Sequence, residues 1–167
     1  MKISQIVAVA NNGVIGNDNK LIWHMPSDMK YFMQTTKGHC IITGRKNYES
    51  IPEKFRPLKD RTNFVITRQA NYQAPGAVVV GSIEEAIEAA RKTGESECFI
   101  IGGGEIFKQT LHLTDKIYYT KIHQDFEGDT FYPDLDPSIW SKDTEINHKS
   151  DEKNLYDYSF LTFVKVI

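Results

Sequence analysis

Cysteine is nearly absent, with only Cys40 and Cys98 in 167 residues. Each adjoins an apolar, strand-like run, "CIIT" and "CFII", so the expectation is two reduced core thiols in a cytoplasmic protein. No Cys/His pairing has zinc-ligand spacing, and no metal is expected. An excess of one charge is lacking too. The 20 Lys and Arg nearly balance 22 Asp and Glu, for a net −2, which argues against nucleic-acid and anionic-membrane partners. No apolar run reaches membrane-spanning length. The opening "MKISQIVAVANNG" is short, interrupted by Ser4 and Gln5, and reads as a buried first strand rather than a leader. Repeats, low-complexity tracts and Pro/Ser-rich linkers are also missing, so one domain over 1–167 is expected. His24, His39, His112, His123 and His148 lie scattered without a neighbouring Ser or Cys nucleophile, and there is no nucleophile elbow or Walker loop.

What is present is an alternation of strands and helices. "ISQIVAVA" is apolar on both faces after residue 6 and predicts a central strand. Residues 11–25 read as a long irregular segment, 27–36 as a helix, 39–43 as a strand and 46–51 as a short helix. "NFVIT" (63–67) and "AVVV" (77–80) follow as strands. "SIEEAIEAARKTG" carries the signs of a helix: a Ser82/Glu85 capping box, an apolar face of Ile83, Ala86, Ile87 and Ala90, and Gly94 to end it. "CFII" leads through three glycines into a helix reaching about residue 112. "KIYYTKIH" and "YDYSFLTFVKVI" then predict two long strands paired antiparallel. The fold class is therefore α/β, with a mostly parallel sheet, an antiparallel C-terminal edge and about four helices.

Ligands of open α/β sheets bind beyond the carboxyl ends of the strands. Here those ends carry Gly44, Arg45 and Lys46, then Thr67 and Arg68, then Gly102, Gly103 and Gly104. A glycine run before a helix can aim backbone N–H groups at a phosphate, and it can also be a plain tight turn. Surface Arg and Lys are commonly just solvated. Coinciding at three strand ends, they point to a nucleotide, with more positive charge than a pyrophosphate requires. An added 2′-phosphate would use the surplus. Phosphate grips without a nucleophile suit hydride transfer, where the cofactor carries the difficult step. Asp28, in "LIWHMPSDMKYF", is either a solvated acid in a first helical turn or a polar anchor in an apolar pocket. The segment 11–25, with Leu21 and Trp23, is a candidate lid.

Six stretches together resemble dihydrofolate reductases of the bacterial chromosomal type. They are "IVAVANNGVIGNDNKLIWHMPSDMKYF", "GRKNYESI", "RPLKDR", "NFVITR", "IIGGGEIF" and "FEGDTFYP", in that family's order and spacing. The resemblance implies reduction of 7,8-dihydrofolate to tetrahydrofolate by NADPH, with hydride passing from nicotinamide C4 to pterin C6 and a proton added at N5. Asp28, Trp23 and Thr120 match the catalytic group, with Asp28 holding the pterin and Thr120 supporting Asp28. Ile6, Ala8, Met29 and Phe32 match the walls of the substrate site, as do Ile51, Leu58 and Ile101. Ser50 and Arg56 fall in the same substrate-binding set, and Arg61 matches the arginine gripping the α-carboxylate of folate.

On the cofactor side, Ala8, Ile15 and Phe107 match residues around the nicotinamide. Lys46 and Asn47, with Gly44, Ile101 and the Gly102–Gly103–Gly104–Glu105–Ile106 segment, match the pyrophosphate contacts. Gln109 belongs with that segment. Arg45, Thr67, Arg68, Gln69 and Gly81 match the 2′-phosphate corner and its surroundings. The lid contributes Val14, Gly16, Asn17 and Asp18, then Asn19, Lys20 and Leu21. The family has a cis peptide, which here falls at Gly102–Gly103.

This sequence departs from the family pattern at Ile22 (usually proline), Thr43 (commonly methionine), Asn47 (commonly threonine) and Phe107 (frequently tyrosine). The resemblance further implies a monomer acting on small molecules. Two other functions remain open from the sequence. One is reduction of another pteridine-like or riboflavin-pathway intermediate, against which Arg61 argues. The other is silent NADPH binding, against which Asp28 argues.

Overall fold

The computed structural model describes residues 1–18 and 20–166. Asn19, a lid candidate, and Ile167, at the end of the last predicted strand, lie outside the described residues. In chain order the strands and helices are β1 (Lys2–Ala10), β2 (Val14–Gly16), α1 (Pro26–Thr36), β3 (Cys40–Gly44), α2 (Arg45–Ser50), β4 (Thr62–Ile66) and β5 (Val78–Val80). They continue with α3 (Ile83–Lys92), β6 (Glu97–Gly102), α4 (Gly104–Thr110), β7 (Lys116–Ile122), β8 (Thr130–Phe131), β9 (Trp140–His148) and β10 (Tyr158–Lys165).

Eight strands form one sheet in the order β5-β4-β3-β6-β1-β7-β10-β9. The first six are mutually parallel, whereas β10 runs antiparallel to both β7 and β9. β1 is interior, as its two apolar faces require. Because β6 inserts between β3 and β1, the carboxyl ends of these three strands lie side by side. The chain then leaves them in different directions, towards the lid, α2 and α4, which opens a crevice there.

The two faces of the sheet are covered differently. Ile3, Val7, Ile42, Cys98 and Ile100 point to a core closed by Ala86, Ile87 and Ala90 of α3 and Phe107 of α4. Fully buried Gln5 also points there. Its amide donates to the Phe107 carbonyl (3.0 Å) and Thr110 Oγ1 (2.9 Å) and accepts from the Tyr132 hydroxyl (2.6 Å). On the opposite face, Ile6, Ile41 and Phe99 meet Phe32 of α1, while Tyr48 of α2 packs on Val65.

Several boundaries differ from the sequence reading. α2 starts at Arg45, one residue earlier than expected, and α4 ends at Thr110, after which a 3-10 turn spans Leu111–Leu113. The capping box of α3 is half formed: Ser82 Oγ accepts from Glu85 N at 3.1 Å, but the Glu85 carboxylate takes Gly81 N–H instead of that of Ser82. Three strands lie where none was expected, namely β2, β8 and β9. In β9 only Trp140 is buried. As an edge strand paired on one side, it needs no apolar alternation to form.

Candidate active site

The crevice begins at the glycine turn between β6 and α4. Gly102 has φ +112, and a Cβ there would stand 2.9 Å from Cε2 of Phe107. The Gly102–Gly103 peptide is cis. Thr43 Oγ1 donates to the Gly102 carbonyl at 3.1 Å, while Asn47 Nδ2 donates to Thr43 Oγ1 (2.9 Å) and the Ile101 carbonyl (3.3 Å). Thr43 and Asn47, two departures from the family pattern, thus form one brace tying β3 and α2 to the turn. Phe107 is buried in the core beneath Gly102, edge-on to Tyr132, and supports the turn from below. Glu105 and Gln109 are exposed on α4, with Ile106 half-buried against the core.

Basic groups ring this turn. Arg45 is paired with Glu49 at 2.7 Å, whereas exposed Lys46 and Arg68 enter no salt bridge among the described residues. Thr67 donates its N–H to the Val80 carbonyl, and its hydroxyl accepts from Gln69 N at 3.1 Å, so the β4 exit is held in shape beside Arg68. Gly44 and Gly81 lie at the exits of β3 and β5.

The second half of the crevice lies between α1 and the sheet. Pro26 occupies the first turn of α1, where its missing N–H costs nothing, and Asp28 follows two residues later. Its carboxyl faces Thr120 of β7, itself the register partner of Ala8 in β1. Asp28 is half-buried by exposed surface, but its carboxyl group is well removed from water. Burial pushes its pKa above the usual carboxylate value, and the Thr120 hydroxyl pulls it partly back. Among the described residues no cation pairs with it. Tyr31, one turn on, stacks on Phe160 at 4.1 Å, and its phenol is pushed up by burial and by the Asp28 charge. Phe32, Leu58, Ile101 and Tyr118 pack around Ile6, Ile41 and Phe99. Met29 is half exposed, and Ile51 packs on the Tyr48–Val65 cluster.

Arg61 sits at the other end of α1. Its Nε donates to the Lys59 carbonyl (2.8 Å) and its Nη1 to Thr36 Oγ1 (3.1 Å), and among the described residues Nη2 has no partner. Asp28 and Thr36, the residue Arg61 touches, are eight residues apart on one helix, about 12 Å of rise along its axis. Arg56 differs: its Nη1 donates to the Glu49 and Ile51 carbonyls at 2.9 and 2.7 Å, which ties it to the end of α2. Ser50 likewise donates to the Asn47 carbonyl.

The candidate lid is tied to β8. β2 pairs with β8, and the Asp129 carboxylate accepts from Asp18 N (2.9 Å) and the Thr130 hydroxyl (2.8 Å). Asp129 N donates in turn to the Gly16 carbonyl at 3.1 Å. Asn17 and Lys20 exchange backbone hydrogen bonds, Ile15 is packed against the core, and Leu21 is exposed. Trp23 is buried beside Phe126, 5.1 Å between ring centroids, and Ile22 packs into the same apolar cluster. Trp23 Nε1 is buried and has no acceptor among the described residues.

The sequence reading assigned no role to Asp129, Tyr31 or Asn154. Asp129 stood inside the quoted "FEGDTFYP", so its neighbourhood was flagged, although not its contact with the lid. Asn154 lies in a polar loop with no local signal. The family model described as dihydrofolate reductase matches residues 2–165 of this chain. The chain belongs to the dihydrofolate reductase family. A dihydrofolate reductase of Bacillus subtilis (strain 168) is 42% identical over 163 residues, covering 98% of this chain and 94% of the relative. One from Haemophilus influenzae is 42% identical over 165 residues, covering 99% of each. Among solved structures, dihydrofolate reductase from Enterococcus faecalis complexed with NADP(H) and RAB-propyl superposes with a TM-score of 0.92 at 38% identity, covering 99% of this chain and 97% of that one. A dihydrofolate reductase fold thus accounts for the mostly parallel sheet and its antiparallel edge.

Proposed function

We infer that the chain catalyses NADPH-dependent reduction of 7,8-dihydrofolate to 5,6,7,8-tetrahydrofolate. The observation that carries this is Asp28, a carboxylate set among apolar side chains on the first turn of α1, with no cation of its own. Burial disfavours such a charge, and the Thr120 hydroxyl meets it only in part, so further donors lower the cost. A pterin supplies a matched pair of donors, an amino group and an adjacent ring N–H. About 12 Å further along α1, the open edge of Arg61 suits a carboxylate, as the glutamate tail of folate requires.

The other half of the crevice fits NADPH. The glycine turn brings backbone N–H groups to the start of α4, and Lys46 and Arg68 carry positive charge that enters no salt bridge among the described residues. Arg45, Thr67, Gln69 and Gly81 surround the place a 2′-phosphate would take. Bound there, the cofactor supplies the hydride. The chain orients, excludes water and manages the proton. Asp28, with its pKa raised by burial, holds the pterin and stands ready to relay the proton destined for N5. Thr120 steadies that carboxylate. Ile6, Phe32, Leu58 and Ile101 line the apolar walls, and residues 14–24 cover the reacting end. Trp23 Nε1, buried with no acceptor among the described residues, suits a polar atom of ligand or ordered water.

The same reading makes this a single reductase domain over 1–167, acting in the cytoplasm as a monomer on small molecules, with no nucleic-acid or membrane partner. No helix among the described residues is long and apolar enough to cross a membrane. NADPH oxidation with dihydrofolate, followed for the wild type and Asp28→Asn, tests it. The wild type turns over, while the variant keeps its NADPH affinity and loses about 10²–10⁴ in reduction rate at neutral pH. A silent wild type, or a fully active variant, overturns the reading.

A further inference from the structure

Helix α1 begins without a side-chain cap of its own. Its N-cap is Met25, whose side chain cannot accept a hydrogen bond, and Pro26 has no N–H to satisfy. The next two donors after Ser27 are met locally, because Asp28 N and Met29 N both reach the Met25 carbonyl, at 3.0 and 3.1 Å. Ser27 N–H remains. Its partner is Asn154 Oδ1 at 3.0 Å, from a residue 127 positions away in the loop between β9 and β10. The amide nitrogen of Asn154 also donates to Ser27 Oγ at 2.9 Å. Both ends of one side chain therefore engage the residue immediately before Asp28.

Asn154 is itself held firmly. It is only 3% exposed. The Asp151 carboxylate accepts from Asn154 N (2.7 Å), Lys153 N (2.9 Å) and Asn154 Nδ2 (3.1 Å), and Asp151 N donates to the Asn154 carbonyl at 2.8 Å. This compact turn presents the amide in one orientation. A capping side chain within α1 would move with the helix. One anchored in the antiparallel edge ties the first turn of α1 to the rest of the sheet.

We propose that Asn154 is a positioning residue for the carboxylate of Asp28: by capping α1 from the β9–β10 loop, it sets where Asp28 stands relative to the pterin. The proposal rests on the reading of Asp28 as the pterin anchor.

The test compares wild type, Asn154→Ala, Asp28→Asn and the double variant in dihydrofolate affinity, NADPH affinity and backbone amide exchange at residues 27–29. Losing a cap of this kind weakens dihydrofolate binding by about tenfold in Asn154→Ala. NADPH affinity stays unchanged, and exchange at Ser27 accelerates. In the Asp28→Asn background the same replacement costs no further dihydrofolate affinity, because Asn154 acts through the carboxylate. Ser27→Ala, which keeps the N–H and removes only the hydroxyl, gives a smaller loss in the same direction and serves if Asn154→Ala does not fold. Equal losses for both ligands, or an undiminished loss without the Asp28 charge, overturn the proposal and leave Asn154 a structural residue. If the wild type does not bind dihydrofolate, the activity reading fails, and exchange at Ser27 alone decides the cap: unchanged exchange in Asn154→Ala overturns it.

Discussion

Asp28 combines two demands that ordinarily conflict. Burial raises its pKa, so the ionised form is disfavoured in the folded chain relative to the unfolded one. Above the folded pKa the charge therefore costs stability, and the cost fades as the pH falls towards the unfolded value of 3.8. Asp28→Asn removes it, so at neutral pH the ligand-free variant melts higher than the wild type, by about 2–4 °C for each kcal/mol recovered. The difference shrinks as the pH approaches 4. Thermal melts of both proteins across that range check it, and a variant that melts lower at pH 7 contradicts the burial argument. Arg68 makes the complementary case. It is exposed and enters no salt bridge among the described residues, so Arg68→Ala changes little in stability but weakens NADPH by about 10–100-fold, as expected for a charge-assisted phosphate contact. NADH affinity is spared. Equal losses for the two cofactors would remove Arg68 from the 2′-phosphate corner. Both residues were nameable from the sequence, Asp28 by its odd company and Arg68 by its place after a strand. Which distant neighbour Asp28 meets was not, because Thr120 reaches it from β7, 92 positions along the chain.

Elements with strong local signals emerged close to where their sequence put them. α3 has its cap serine, its apolar stripe and its terminal glycine, and each operates within a few residues. β9 is the counterexample. "WSKDTEINH" exposes eight of its nine residues, and its strand form comes wholly from pairing with β10. The glycine turn between β6 and α4 shows how an element joint can carry a site. At Gly102 a side chain would meet both an unfavourable positive φ and the ring of Phe107. Gly102→Ala should therefore destabilise the protein by about 2–4 kcal/mol and weaken NADPH as the turn shifts. Denaturant unfolding and cofactor titration together check this, and a variant with wild-type values in both would show that the turn tolerates a Cβ. The Thr43–Asn47 brace beneath the turn belongs to the same scale: two departures from the family pattern, four residues apart, resolved into one hydrogen-bonded unit.

Across the whole molecule the sheet separates two duties. The face covered by α3 and α4 is closed, with buried Gln5 bonded through both its amide nitrogen and its oxygen. The face under α1 and α2 stays partly open and carries Asp28, Arg61 and the crevice. Ligands that fill the crevice bind only the folded chain, so they must stabilise it. NADPH at 100 times its Kd adds about 2.7 kcal/mol and raises Tm by about 5–10 °C. An unmoved melting curve at that concentration would contradict the cofactor site. The sequence by itself determined the α/β alternation, the central first strand, the strand-end clustering of glycine and basic residues, and the identity of Asp28. These follow from periodicity, turn chemistry and composition, all of which act over a few residues. Only the tertiary structure decided that Asn154 caps α1, that Asp129 bonds the segment after β2, and that the polar edge strand β9 exists at all. Each of those depends on groups brought together across most of the chain, where no local pattern records the contact.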